Sequence, residues 1–142
     1  MALTRAEREQ FLAEPHVAAL AVNAVEEGRA PLTVPIWYQY TSGGDLWIMT
    51  GRDSRKGVSI ARAGRFSMMV ERLAPTVRYV SVEGPVVSTL PATREQLVEI
   101  SSRYLPAEKV DAYVDFAWKE HGEQVVIHMR PHHWLSSDLG EA

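Results

Sequence analysis

Leu46–Glu71, LWIMTGRDSRKGVSIARAGRFSMMVE, divides into a strand, a basic loop, a short helix and a second strand. Ser54 is suited to cap the start of the helix and Gly64 to stop it. Arg52, Arg55 and Lys56 crowd the helix entrance. A helix N-terminus already carries partial positive charge and unpaired N–H groups, so each added cation costs roughly a few tenths of a kcal/mol unless an anion sits among them. Two readings follow. The loop is a phosphate cradle, built from the free amides, the hydroxyls of Ser54 and Thr50, and the charges of Arg55 and Lys56. Otherwise it is a solvated basic turn in which Asp53 pairs with Arg52 or Arg55. Neither G-x-x-x-x-G-K-[ST] nor G-x-G-x-x-G occurs, so a cradle here is not of the common nucleotide-binding kinds.

Upstream, Ser42-Gly43-Gly44-Asp45 reads as a hairpin turn joining Leu46–Thr50 to a strand over Arg29–Thr41. Alternation puts Leu32, Val34, Ile36, Tyr38 and Tyr40 on one face of that strand, and Thr33, Pro35, Trp37 and Gln39 on the other. The apolar run His16–Val25 reads as an earlier strand, and Thr4 with Glu7 forms a capping box opening a helix that stops before Pro15. Downstream, the strand Arg65–Leu73 ends before Pro75, and Arg78–Thr89 is a long strand bent or bulged at Gly84-Pro85. Pro91–Tyr104 and Pro106–Trp118 are helical, Gln124–Arg130 is a last strand, and the residues from Pro131 read as a tail. Hairpin-length links between consecutive strands imply an antiparallel sheet closed or nearly closed into a barrel; a doubly wound parallel sheet needs a helix between strands throughout. The expectation is one mainly β (α+β) domain over residues 1–142, with flanking helices.

Composition narrows the function classes. A net charge of -3 argues against a general nucleic-acid or anionic-membrane binder, which needs a basic face. The positive charge is local instead, with Arg62 and Arg65 following the three cations of the loop, and that suits a small anionic ligand. The absence of cysteine excludes disulfides, thiolate metal sites and cysteine nucleophiles. MALTRAEREQFL lacks the apolar segment of a secretory signal, and no run approaches the roughly 20 apolar residues of a membrane span, so the expected location is the cytoplasm.

Three other groups of residues invite a chemical reading. Pro35 removes a ladder hydrogen bond from PLTVPIWYQY, leaving an edge that a flat heterocycle beside Trp37 could use; the other reading is an edge strand with core aromatics. Glu83, opposite in facing to Val80, Val82 and Val86, is a solvent-facing residue, an interface partner for an arginine, or an acid. His128, His132 and His133 match no standard zinc spacing, and no metal site is expected. G-x-S-x-G is absent, and no catalytic nucleophile is nominated.

The series P-x-x-x-P-I-W-Y, G-G-D-L-W-I-x-T, S-R-K-G-x-S-I-A-R-A-G-R-F-S-M-M-V-E and R-Y-V-S-V-E-G-P-V, covering His16 to about Val87, resembles the pyridoxamine 5′-phosphate oxidase-like superfamily. More narrowly it resembles the flavin/deazaflavin oxidoreductase B group of actinobacteria. The resemblance implies a split β-barrel acting as a homodimer, with FMN or the deazaflavin coenzyme F-420 bound at the subunit interface. It implies that Ser54, Arg55 and Lys56 hold the cofactor phosphate. Thr33, Val34, Pro35, Ile36 and Trp37, with Ile48, Met49 and Thr50, line the ring and ribityl chain. Arg78, Tyr79 and Trp134 are the residues expected to reach across from the other subunit. Family members often read K-x-x-N-L-x-x-D-P-R after the loop; here Ser59 stands for the Asn and Gly64 for the Pro. The implied activity is hydride transfer between F-420 and an electrophilic small molecule, with an FMN-dependent oxidase or reductase as the alternative. A non-enzymatic flavin- or haem-binding protein, using one of the three histidines, is the alternative from another class.

Overall fold

The computed structural model describes residues 1–142. The elements are α1 (Arg5–Ala13), β1 (Ala18–Val22), β2 (Leu32–Ile36), β3 (Gln39–Tyr40), β4 (Leu46–Gly51), α2 (Arg55–Ala63), β5 (Arg65–Arg72), β6 (Val77–Pro91), α3 (Arg94–Tyr104), α4 (Ala107–Glu120), β7 (Gln124–Met129) and β8 (His133–Gly140). Their antiparallel sheet runs β2-β1-β5-β6-β7-β4-β3, and β8 pairs with β6 on the edge opposite β5, in line with β7. β6 serves two halves. Arg78–Glu83 pairs with both β5 and β8, whereas Val86–Pro91 pairs with β7. The two edges of the sheet, β2 and β3, are joined through Trp37 and Tyr38. The sheet therefore curls back on itself without closing its ladder, which is a split barrel.

Period-2 alternation builds the barrel core. Leu20, Ile48, Met68, Val80, Val82, Ile127 and Met129 point inward, and Phe11 and Leu12 of α1 belong to the same buried cluster. The outward residues of β4, Trp47 and Met49, are covered by the α3–α4 hairpin, whose own buried stripe is Leu97, Ile100, Val110, Val114 and Ala117. No helix is long and apolar enough to cross a membrane.

Five sequence expectations need correcting. The strand expected over His16–Val25 is only Ala18–Val22, because His16 turns back onto α1, its ring 4.4 Å from that of Phe11. The strand expected over Arg29–Thr41 is two strands. At the break, the N–H of Tyr38 donates to the Tyr104 hydroxyl (3.2 Å), and that hydroxyl lies 3.2 Å from the Tyr38 carbonyl. A side chain from α3 thus takes the place of a ladder partner. The irregularity of β6 is a register shift between Val86 and Ser88, just beyond Gly84-Pro85; Gly84 itself is where a Cβ would lie 1.8 Å from the Arg130 carbonyl oxygen as the chain crosses. α3 begins at Arg94, because Pro91 still pairs with Val125 and Thr93 forms a capping box with Gln96; α4 extends to Glu120. Most consequentially, the expected tail contains a full strand, β8, paired with β6 from Val77 to Glu83.

Candidate cofactor site

The basic loop is held from three sides. The Ser54 hydroxyl donates to the Gly51 carbonyl (2.7 Å), accepts from the Gly57 amide (3.1 Å) and lies 3.2 Å from the Thr50 hydroxyl. Gly57 packs so tightly on the end of β4 that a Cβ would stand 2.3 Å from the Gly51 carbonyl oxygen. Arg52 donates its amide to the Glu123 carbonyl (2.9 Å) and its guanidinium to the Glu123 carboxylate (3.1 Å), so it fastens the loop to the entry of β7. The pairing of Asp53 with Arg52 or Arg55 does not form.

What remains is unbalanced positive charge. α2 has no acidic residue in its first turn, and the first-turn amides ahead of Gly57 have no helical partner. Lys56 is half-buried and Arg55 exposed, and neither has a carboxylate within ion-pair distance. The hydrogen of Ser54 is already committed to Gly51. Its role in this geometry is to cap and shape the loop, while the outward donors are the amides and Lys56.

A cleft of about 600 Å³ runs from Lys56 and Ser54 along Pro35, Ile36 and Trp37 of the β2 edge and over Met49 and Thr50. Because β2 is an edge strand, Pro35 fits without breaking the interior of the sheet. Trp37 is fixed by stacking on Tyr104 at 4.8 Å and by a tilted contact with Tyr113 at 5.7 Å. The opposite wall comes from α3, α4 with its C-cap, and the first residue of β7: Leu97, Ile100, Tyr113, His121 and Gln124. No sequence argument singled these out. Tyr113 lies beside Val110 and Val114 on α4, where apolar periodicity does not separate a cleft residue from the helix core stripe.

The structure therefore brings together Pro35, Ile36, Trp37, Met49, Thr50, Ser54 and Lys56. Thr33 and Arg55 lie on the other side of the loop, in a second hollow of about 410 Å³ that shares Ser54. Val34 and Ile48 face the barrel core by the alternation of their strands, so their side chains do not reach the cleft. Arg78, Tyr79 and Trp134 lie on β6 and β8 and do not line the cleft of their own chain. Arg78 pairs with Asp138 at 2.9 Å, and Trp134 packs against the core under the guanidinium of Arg8. Hydrogen bonds from the Thr76 hydroxyl and the Gly140 amide, with Arg78 beside it, hold the Asp138 carboxyl down at about 2. Burial pushes the Tyr38 phenol up; its hydroxyl donates to the Leu12 carbonyl at 2.6 Å.

The remaining polar residues lie elsewhere. Glu83 is exposed on the outer face of β6, between Ser67 and His133. His128 sits on β7 beside Trp47, and His132 and His133 are exposed where β7 passes into β8. No group of three or more His, Asp or Glu side chains is gathered as metal ligands.

Known proteins share this architecture. An F-420 reductase is 23% identical over 89% of this chain and 94% of its own, with a TM-score of 0.67. An FAD-binding protein from Mesorhizobium loti is 19% identical over 99% and 98%, at 0.70. A heme-binding protein from Mycobacterium smegmatis is 16% identical over 99% of this chain and 59% of its own, at 0.61. At these identities the likeness concerns the fold. No curated protein sequence matches the chain. The family model for pyridoxamine 5′-phosphate oxidase matches residues 4–138, nearly the whole length. On that match, with the split barrel beneath it, the chain belongs to the pyridoxamine 5′-phosphate oxidase family.

Proposed function

We propose that this protein is an oxidoreductase that binds a phosphorylated flavin-type cofactor in the 600 Å³ cleft, with coenzyme F-420 as first choice and FMN as the alternative. One observation carries the reading: Lys56, half-buried and without a counter-ion, stands at the N-terminus of α2 at the end of a cleft bedded by Pro35 and Trp37. An anionic group there turns an electrostatic cost into a gain, and the apolar bed suits a flat ring. The donor set fits the cofactor class: a charge and two free amides for phosphate, an immobilised indole and an edge strand for the ring.

When bound, such a cofactor supplies or accepts a hydride. The chain's own residues position and shield it. Lys56 and the first-turn amides anchor the phosphate, Ser54 and Gly57 hold the loop in shape, and Trp37 and Met49 exclude water from beneath the ring. The α3–α4 hairpin bounds the space left for a substrate, which is an electrophilic small molecule in the F-420 reading.

The fold relationship to an F-420 reductase supports the first choice, and that to an FAD-binding protein supports a flavin as the alternative, for which the single phosphate anchor suits FMN. The haem reading loses the three histidines it was built on, since His128, His132 and His133 do not line the cleft; the histidine that does line it is His121. We further propose that the protein acts as a homodimer in the cytoplasm. Leu135 and Leu139, 66% and 63% exposed on the outer face of β8, give a second copy apolar surface to cover. Titrating F-420 and FMN side by side, by quenching of cofactor fluorescence, tests the reading. Saturable binding of either supports the cleft, and preference for F-420 supports the deazaflavin assignment. Binding of neither overturns it.

A further inference from the structure

On another flank of the barrel, a hollow of about 420 Å³ opens between α1, the β3–β4 turn and the passage from β7 to β8. None of its residues lines the cofactor cleft. Three arginines converge on it. Arg5 is paired with Glu9 at 3.0 Å, and Arg130 with Asp45 at 3.3 Å. Those are the two carboxylates of the hollow, and both are taken.

Arg8 is left over. Its guanidinium carbon lies 4.6 Å from the centre of the Trp134 ring, and its Nε is buried without an acceptor. Stacking satisfies the face of a guanidinium but not the donors in its plane, which are the ones that fit an oxyanion. The enclosed Nε is beyond a ligand's reach, but the terminal N–H groups of the same fork have no protein acceptor and are free to make charge-assisted hydrogen bonds to an anionic oxygen. The ring beneath is itself fixed, edge-on to Tyr40 at 6.4 Å and packed on the barrel core. The arginine is thus held over a rigid platform at the wall of a concavity that carries one uncompensated positive charge.

We propose that this hollow is a second ligand site, selective for a small oxyanion (the phosphate or carboxylate group of a metabolite), with Arg8 as its principal ligand and Arg130 beside it. It is separate from the cofactor anchor at Lys56 and does not depend on the oxidoreductase reading.

The two anion sites report through different tryptophans, Trp134 here and Trp37 in the cleft. The test is a titration of the ¹⁵N-labelled full chain with inorganic phosphate, and separately with succinate, at constant ionic strength set by chloride. Indole N–H signals are assigned by Trp→Phe substitution. The expected result is a saturable shift of the Trp134 signal and of the Gly43 and Gly44 amides, with a dissociation constant of roughly 1–10 mM. Saturation by phosphate alone identifies a phosphate-bearing ligand, and saturation by succinate a carboxylate. Arg8→Gln should weaken binding about tenfold, as should Arg8→Lys, which keeps the charge and loses the planar fork. Lys56→Ala should leave the Trp134 response intact. A Trp134 signal that drifts without saturating, or that saturates equally in the folded Arg8 variants, overturns the proposal.

Discussion

At the entrance of α2 the chain tolerates no side chain on Gly57, since a Cβ there meets the Gly51 carbonyl oxygen at 2.3 Å and that of Arg52 at 2.8 Å. Both contacts are with backbone, which cannot swing aside. Gly57→Ala should therefore cost about 2–3 kcal/mol in urea unfolding and weaken cofactor binding by displacing the loop. A neutral effect on both would show that the loop is softer than this packing implies. Lys56 is a different case. Its side chain makes no hydrogen bond or ion pair within the fold, so Lys56→Ala should leave the unfolding midpoint nearly unchanged while weakening the cofactor by ~1.5–3 kcal/mol, the scale of a charge-assisted hydrogen bond. The cations of the loop were visible in the sequence, as was the cap at Ser54. That Arg52 would be spent on Glu123 was not visible, because the two are distant in sequence and meet only when β4 pairs with β7.

Among the elements, β8 was hidden because its pattern is not that of a half-buried strand. Trp134 faces the core, but Leu135 and Leu139 face outward, and Ser136, Ser137 and Asp138 blur the alternation. It forms because β6 offers an unpaired ladder along Val77–Glu83, a partner no local signal reveals. Its far end is clasped by Asp138, which accepts from the Thr76 hydroxyl at 2.7 Å and from Arg78 at 3.0 Å. The carboxyl of Asp138 titrates at about 2 in the fold, below its ordinary 3.8. A depressed folded value means that the clasp contributes fully above about pH 4 and is lost as the pH falls toward 2. Asp138→Asn should lower the urea midpoint at pH 7 and flatten its decline between pH 4 and pH 2. An unchanged slope across that window would remove Asp138 from the acid response. The split of the second strand was equally illegible, since it depends on Tyr104 of α3 replacing a strand at Tyr38.

For the whole molecule, antiparallel barrel topology followed from hairpin-length links and alternation, and the family match spans nearly the same residues. The cleft did not follow in full. Its floor is local sequence, Pro35–Trp37 and Met49–Thr50, but its far wall comes from α3 and α4, whose docking depends on how Trp37, Trp47 and Met49 present themselves outside the barrel. Assembly is the next scale. Light scattering should give about 32 kDa, twice the 15.9 kDa chain, and Leu135→Glu should shift the protein toward monomer. A monomeric wild type would contradict the homodimer. Parallel fluorescence titrations of F-420 and FMN into wild type and Lys56→Ala decide whether a cofactor is anchored at Lys56. Saturable binding to wild type, tighter for F-420, with a loss of about tenfold or more in the variant, is expected. Equal affinity in the two proteins, or no binding of either cofactor, would contradict that anchor.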